Sequence, residues 1–191
     1  MTTFFQNIVF HVIRISSEEE VTQKNLLKLG TSLHSLKVPN VPFDSISFVY
    51  LAASIALGED VCKKIRFISS TAIAVESAFK ALSVCRIGVV CPYNQEVYNL
   101  VFQYFRYKGV NTNAYYTFSE THETQISAIS PSQIFKAAVT VGKNVDVECV
   151  LVCCTNLHCL HVVSDIEYAI GKPVVTTTQA TIWHSLYLPN Y

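Results

Sequence analysis

The stretch 146-DVECVLVCCTNLHCLHVV-163 carries two hydrophobic patterns joined by a polar turn. An apolar run from Val147 ends on two adjacent cysteines, Cys153 and Cys154, and a short polar turn, Thr155 and Asn156. An apolar pattern carrying His158, Cys159 and His161 then resumes. The first part reads as a buried strand over 147–154 and the second as a helix over 157–171, which makes the unit strand, turn, helix.

The same unit recurs on either side. Toward the C-terminus, "KPVVTT" (172–177) is a strand and "TQATIWHSLYL" (178–188) a helix. Toward the N-terminus, "RIGVVC" (86–91), "PYNQEVYNLVFQYFRYKG" (92–109), "VNTNAYYTF" (110–118) and "SPSQIFKAAVTVGK" (130–143) alternate strand and helix. Pro92 at a helix start and Gly109 and Gly171 at helix ends fit the usual asymmetry of breakers. The first half reads as a strand "NIVFHVIRI" (7–15), a helix opening in "SSEEEVTQKNLLKLGTSLHSL" (16–36) and a Pro-rich connection "KVPNVPFD" (37–44). Two short buried strands in "SISFVYLAAS" (45–54) and "KIRFISS" (64–70) follow, then a helix "TAIAVESAFKALSV" (71–84). Strands alternating with helices predict an α/β protein with parallel sheets covered on both faces.

Composition narrows the partner. The 191 residues are half hydrophobic, and 14 basic residues balance 14 acidic ones, so no electrostatic footprint points to nucleic acid or an anionic membrane. A small molecule or another protein is the expected partner. The odd count of seven cysteines and an N-terminus without a basic, apolar leader predict a reduced, cytoplasmic setting. No apolar run reaches the roughly 18 to 20 residues that a membrane helix needs. Neither GxGxxG nor GxxxxGK[ST] is present, so nothing supports nucleotide binding.

Ligands of open α/β sheets sit beyond the carboxyl ends of the strands, where "VVCPYNQ" and "VCCTNLH" place polar residues facing one cleft. Three readings of the cysteine turn stand side by side. In the first, Cys153 and Cys154 are buried fillers that point to opposite faces of a strand. In the second, Cys154, His158 and His161 hold a metal, against which stands a span of roughly 10 Å from Cys154 to His161 on a helix and the lack of paired-ligand spacing. In the third, Cys154 is a thiolate whose pKa is lowered by the helix that follows, with Thr155 and Asn156 as donors to an anion.

"VLVCCTNL" with the downstream "DIEYAIGKPVVTTTQATIWHSL" resembles the C-terminal signature of maleate cis-trans isomerases and their relatives, the arylmalonate decarboxylases and the aspartate/glutamate racemase superfamily. The upstream "ISSTAIAVESAFKALSVCRIGVVCPYNQEV" matches as well, and the resemblance covers most of residues 44–186. It implies two flavodoxin-like (Rossmann-like) parallel-sheet lobes related by a pseudo-twofold axis, residues 1–84 completed by 172–191 and residues 85–171. It also implies a site between them without cofactor or metal, acting on a small dicarboxylic acid through one cysteine per lobe. Cys154 matches the second-lobe cysteine, Tyr93 a carboxylate-binding tyrosine, and Thr155 and Asn156 the anion-binding turn.

The first lobe departs from that pattern. Tyr50, Leu51 and Ala52 stand where the family reads Cys-Thr-Ser, so Tyr50 marks a lost cysteine, although backbone N–H groups at 51 and 52 could still serve. The chain also lacks the family's opening strand, which predicts an open sheet edge or apolar groove and a homo-oligomer that covers it. The resemblance thus leaves open an isomerase-like enzyme, a decarboxylase-like enzyme with one cysteine, or a member without catalysis kept for binding or assembly.

Other residues carry weaker signals. Cys91 is read as a size-conserving replacement before Pro92, and Ser69, Ser70 and Thr71 as helix caps. His122 and Glu123 lie in "SETHETQ", read as an exposed loop, and His158 could tune Cys154. Trp183 and the series Tyr98, Phe102, Tyr104, Phe105 and Tyr107 are read as core or subunit interface.

Overall fold

The computed structural model describes residues 8, 12–34, 42–64 and 69–188. The element order is α1 (Gln23–His34), β1 (Ser47–Phe48), α2 (Leu51–Leu57), α3 (Glu59–Lys64), β2 (Ser69–Ser70), α4 (Thr71–Leu82), β3 (Arg86–Tyr93), α5 (Gln95–Tyr107) and β4 (Asn111–Glu120). Then come α6 (Glu123–Ser127), α7 (Pro131–Gly142), β5 (Cys149–Val152), a 3₁₀ turn (Leu160–Val162), α8 (Val163–Ile170), β6 (Val174–Thr176) and α9 (Thr177–Tyr187).

Both sheets are parallel, as the alternation predicts. The larger has the order β4-β3-β5-β6 and the smaller pairs β1 with β2. The central strands β3 and β5 are buried almost throughout, because helices cover both faces and leave no side for polar residues. Strand β4 lies at the sheet edge and is exposed along much of its length, with Tyr115 and Tyr116 at 52% and 42% exposure. Helix α9 packs on α4 and ties the small sheet to the chain's C-terminal segment through Ser69 Oγ and His184 Nδ1, 2.7 Å apart, and Ser47 Oγ and Ser185 Oγ, also 2.7 Å apart. Strand β6 pairs with β5, while α9 packs on α4. Among the described residues no helix is long and apolar enough to cross a membrane.

Several expectations are corrected. Residues 12–15 form no strand, and the rest of the 7–15 segment apart from residue 8 lies outside the described residues. Helix α1 starts at Gln23, not in the Ser-Glu run, because Thr22 Oγ1 accepts the Asn25 N–H. Only Ser47–Phe48 of the 45–54 segment is a strand, since Leu51-Ala-Ala-Ser continues as a helix with all four residues buried. Of 64–70, Lys64 closes α3, Ser69 and Ser70 form β2, and 65–68 lie outside the described residues. Pro92 does not start α5 but lies within β3, where a register shift between Cys91 and Tyr93 accommodates its missing N–H; Asn94 is the cap instead.

Candidate functional site

Strand β5 ends at Val152, yet the Cys153 N–H still donates to the Val90 carbonyl at 2.8 Å. The chain then turns sharply at Cys154, whose φ of 142° lies in a region that favours glycine. A cysteine held there is strained by roughly 1–3 kcal/mol, and such strain clusters where side chains must be aimed. The Cys154 N–H donates to Thr177 Oγ1 at 3.3 Å, and the Cys154 thiol accepts from the Asn156 N–H at 3.4 Å.

The predicted helix after this turn begins late. Residues 155–159 are irregular, and regular α-helix starts only at Val163. No helix N-terminus therefore adjoins Cys154, and its pKa is not lowered but pushed up to about 11 by burial, an effect only partly offset by the Tyr93 hydroxyl and the Asn156 N–H. The thiol is the resting form at neutral pH. His158 is exposed on the irregular segment rather than packed in a helix.

Tyr93 comes from the end of β3 and is almost completely buried. Its hydroxyl meets no hydrogen-bond partner, although the Cys154 thiol is close enough for each group to affect the other's ionisation. Burial pushes the phenol well above its ordinary range. An unpaired buried hydroxyl costs about 1–3 kcal/mol, which makes Tyr93 a donor waiting for an acceptor.

The largest correction concerns 119–125, read as an exposed loop. Glu123 opens the short helix α6 and reaches into the site, where its two oxygens accept from the Tyr50 hydroxyl at 2.7 Å and from Asn156 Nδ2 at 2.8 Å. Asn156 Nδ2 also donates to the Glu123 carbonyl at 3.3 Å. The segment before α1 holds α6 in place: the Glu123 N–H donates to the Glu19 carbonyl at 3.0 Å, and Thr124 Oγ1 to Glu19 Oε1 at 2.9 Å. Tyr50 caps α2 in an extended conformation, and burial together with Glu123 raises its phenol.

Cys154, Tyr93, Asn156 and Tyr50 thus converge, Thr155 lies half-buried in the same turn, and Glu123 joins them. Leu51 and Ala52 are buried in the first turn of α2. Cys91 is buried in β3, with its thiol raised to about 12 by burial and sensitive to Cys154. Ser70 caps α4 through the Ile73 N–H, whereas Thr71 bonds to Phe48 and Thr181, so neither Ser69 nor Thr71 acts as the cap. Tyr98 and Phe105 are core, while Tyr107 and Trp183 are exposed. His122 is exposed beside Glu123. Among the described residues no group of three His, Cys, Asp or Glu side chains could hold a metal. Two surface depressions lie away from Cys154, one beside Ser16 and Lys28, the other over Tyr98, Phe102 and Tyr115.

Burial raises five thiols, Cys91, Cys149, Cys153, Cys154 and Cys159. Folded, they stay neutral to about pH 11 or beyond; unfolded, they ionise near their ordinary value of 9.0. Their contribution to stability is thus complete below pH 9 and is lost as pH rises from there toward the folded values, at up to about 1.4 kcal/mol per pH unit for each thiol. Melting temperatures are expected to be independent of these thiols up to pH 9 and to fall steeply by pH 10.5; a level melting temperature to pH 10.5 would contradict this.

The fold and the site define an α/β protein of parallel sheets with a buried thiol turn at the carboxyl end of a central strand. Residues 60–189 match the arylmalonate decarboxylase family model, and the chain belongs to that family. It is 26% identical over 125 residues to the maleate isomerase of Nocardia farcinica, a match that takes in 64% of this chain; the chain spans about half the length of that curated relative. A Nocardia farcinica maleate cis-trans isomerase variant with a covalently bound succinylcysteine intermediate superposes at a TM-score of 0.83 with 18% identity, over 95% of this chain and 80% of that one. A Pseudomonas putida maleate isomerase variant with maleate superposes at 0.79 with 20% identity, over 93% and 77%. At these identities the structural likeness establishes the fold.

Proposed function

We propose that this chain is a cofactor-independent enzyme that delivers a proton to the carbon beside a carboxylate of a small acid, with the Cys154 thiol as the proton donor. The observation that carries this reading is a neutral buried thiol beside a buried Tyr93 hydroxyl without a partner. Tyr93 binds the substrate carboxylate and steadies the enediolate that develops on it. In a decarboxylation, the bond from carbon to the departing carboxylate breaks, carbon dioxide leaves, the enediolate takes the Cys154 proton, and water returns one to sulfur. The thiol is suited to this because it is protonated at neutral pH.

Maleate isomerisation is the second reading, favoured by the likeness to the Nocardia farcinica enzyme. Addition of sulfur to a double bond uses a thiolate, and a pKa of about 11 leaves on the order of one thiol in 10⁴ ionised at pH 7. An inactive member is the third, supported by Tyr50 in place of the first-lobe cysteine. The two-lobed arrangement with pseudo-twofold symmetry, the small sheet with α4 and α9 facing the four-stranded sheet, belongs to this proposal.

Proton NMR in deuterated buffer with maleate and an arylmalonate separates the readings. Deuterium at the carbon beside the carboxylate, lost in Cys154→Ala, supports proton transfer. Fumarate without deuterium exchange supports isomerisation, and an inert panel supports an inactive member.

Tyr93→Phe is expected to leave stability unchanged or raise it by about 1 kcal/mol, since it removes an unsatisfied hydroxyl, while lowering kcat/KM about 10–100-fold through the lost bond to a charged group. Urea melts and steady-state rates check the pair; a destabilised but fully active variant would contradict it.

A further inference from the structure

Glu123 brings a carboxylate into the site by way of α6. Its oxygens already take the Tyr50 hydroxyl and the Asn156 amide, the two neutral side-chain donors that line this end of the site. Among the described residues no Lys, Arg or His forms an ion pair with it. Two neutral donors satisfy hydrogen bonds without cancelling charge, so the far end of the site presents a net negative group. A second carboxylate brought there meets a like charge in a partly buried setting, where charges interact strongly. An ammonium meets its complement. The donor left unpaired is Tyr93, beside Cys154, and it serves a single carboxylate.

We infer that Glu123 is a specificity-determining residue that fills one anion place with the chain's own carboxylate, so that the site selects a small monocarboxylate bearing an ammonium at its far end over a dicarboxylate. This rests on the proposal that an acid binds at Tyr93 beside Cys154, and it concerns the group at the acid's far end, not the carboxylate that departs from the reacting carbon in a decarboxylation. The selection combines attraction with an unfavourable encounter, since the same carboxylate that holds the ammonium repels the dianion.

Maleate and cis-4-aminobut-2-enoate test this as a matched pair, since both have a cis four-carbon frame and differ in an ammonium for a carboxylate. Titration calorimetry at pH 7 on the full chain is expected to show the amino acid bound at least tenfold more tightly than maleate. Glu123→Gln removes the charge and can still accept from Asn156 Nδ2 through its oxygen while its Nε2 donates to the Tyr50 phenol oxygen; it is expected to bind maleate at least tenfold more tightly than the unaltered chain and to lose the preference for the ammonium. Glu123→Ala, with its fold checked by circular dichroism, is expected to shift the preference the same way should the glutamine variant fold poorly. Equal affinities in the unaltered chain, a preference unchanged in the variants, or no binding of either probe would overturn the inference. Turnover with an unchanged preference would defeat the Glu123 assignment alone, whereas the expected preference without turnover of any acid would defeat the proton-transfer reading alone.

Discussion

Cys154→Ala is expected to lower turnover about 10²–10⁴-fold, the range that a positioned general acid contributes, while stability stays within about 1 kcal/mol. The two effects separate because backbone hydrogen bonds, not the sulfur, hold the turn. Its thiol accepts the long Asn156 N–H bond and lies beside the Tyr93 hydroxyl, and the turn is held by the backbone, through the Cys153 N–H to Val90 and the Cys154 N–H to Thr177. The alanine variant is expected to keep the positive φ of the turn. Cys154→Gly relieves that strain, so it is expected to be equally inactive and to give back part of the stability lost with the side chain. Rates and melting temperatures on the three proteins check this; an alanine variant that retains more than a tenth of the activity would remove Cys154 from the chemistry.

Phe105→Ala is expected to cost about 3–5 kcal/mol in urea melts. Phe105 is completely buried on α5 and meets Phe79 of α4 edge-on, with ring centroids 5.5 Å apart. That contact joins the helix behind the small sheet to the helix behind the large one, so its loss opens a cavity at the junction rather than at a rim that can collapse. Helix α2, which follows Tyr50, also packs on α5. Loosening α5 therefore shifts Tyr50 against Cys154 and Asn156, and turnover is expected to fall in the fraction that remains folded, since displacements near 1 Å at a site can cost about 10²-fold. Phe105→Leu fills most of the volume and is expected to cost less than about 2 kcal/mol with activity retained. A loss below 1 kcal/mol in the alanine variant would contradict the packing account.

From residue 86 onward the elements were legible because long buried strands and amphipathic helices carry clear periods; β3, β4, β5 and β6 fall within the expected segments or a few residues beyond. The first half was less legible because its strands are two residues long, too short to carry a period, and because the apolar Leu51-Ala-Ala-Ser fits a buried helix turn as well as a strand. Cys154, Tyr93 and Asn156 could be read from their motifs and do converge. Their electrostatics could not, since the expected dipole effect on Cys154 depended on a helix that starts nine residues later, at Val163. Glu123 was passed over because a polar five-residue helix looks like a loop. One signal pointed to it: 119–125 follows the strand of 110–118, so it lies at the same carboxyl rim as the two segments that were singled out.

The dependence of kcat/KM on pH between 6 and 9 distinguishes a reacting thiol from a reacting thiolate, because this window lies below the folded pKa of Cys154, about 11, and below the onset of alkaline unfolding. A thiol that delivers its proton predicts a profile without the limb of a titrating cysteine, level across the window once the substrate's own ionisation is complete. A rise of about tenfold per pH unit across the same window is the mark of a reacting thiolate and would contradict the account.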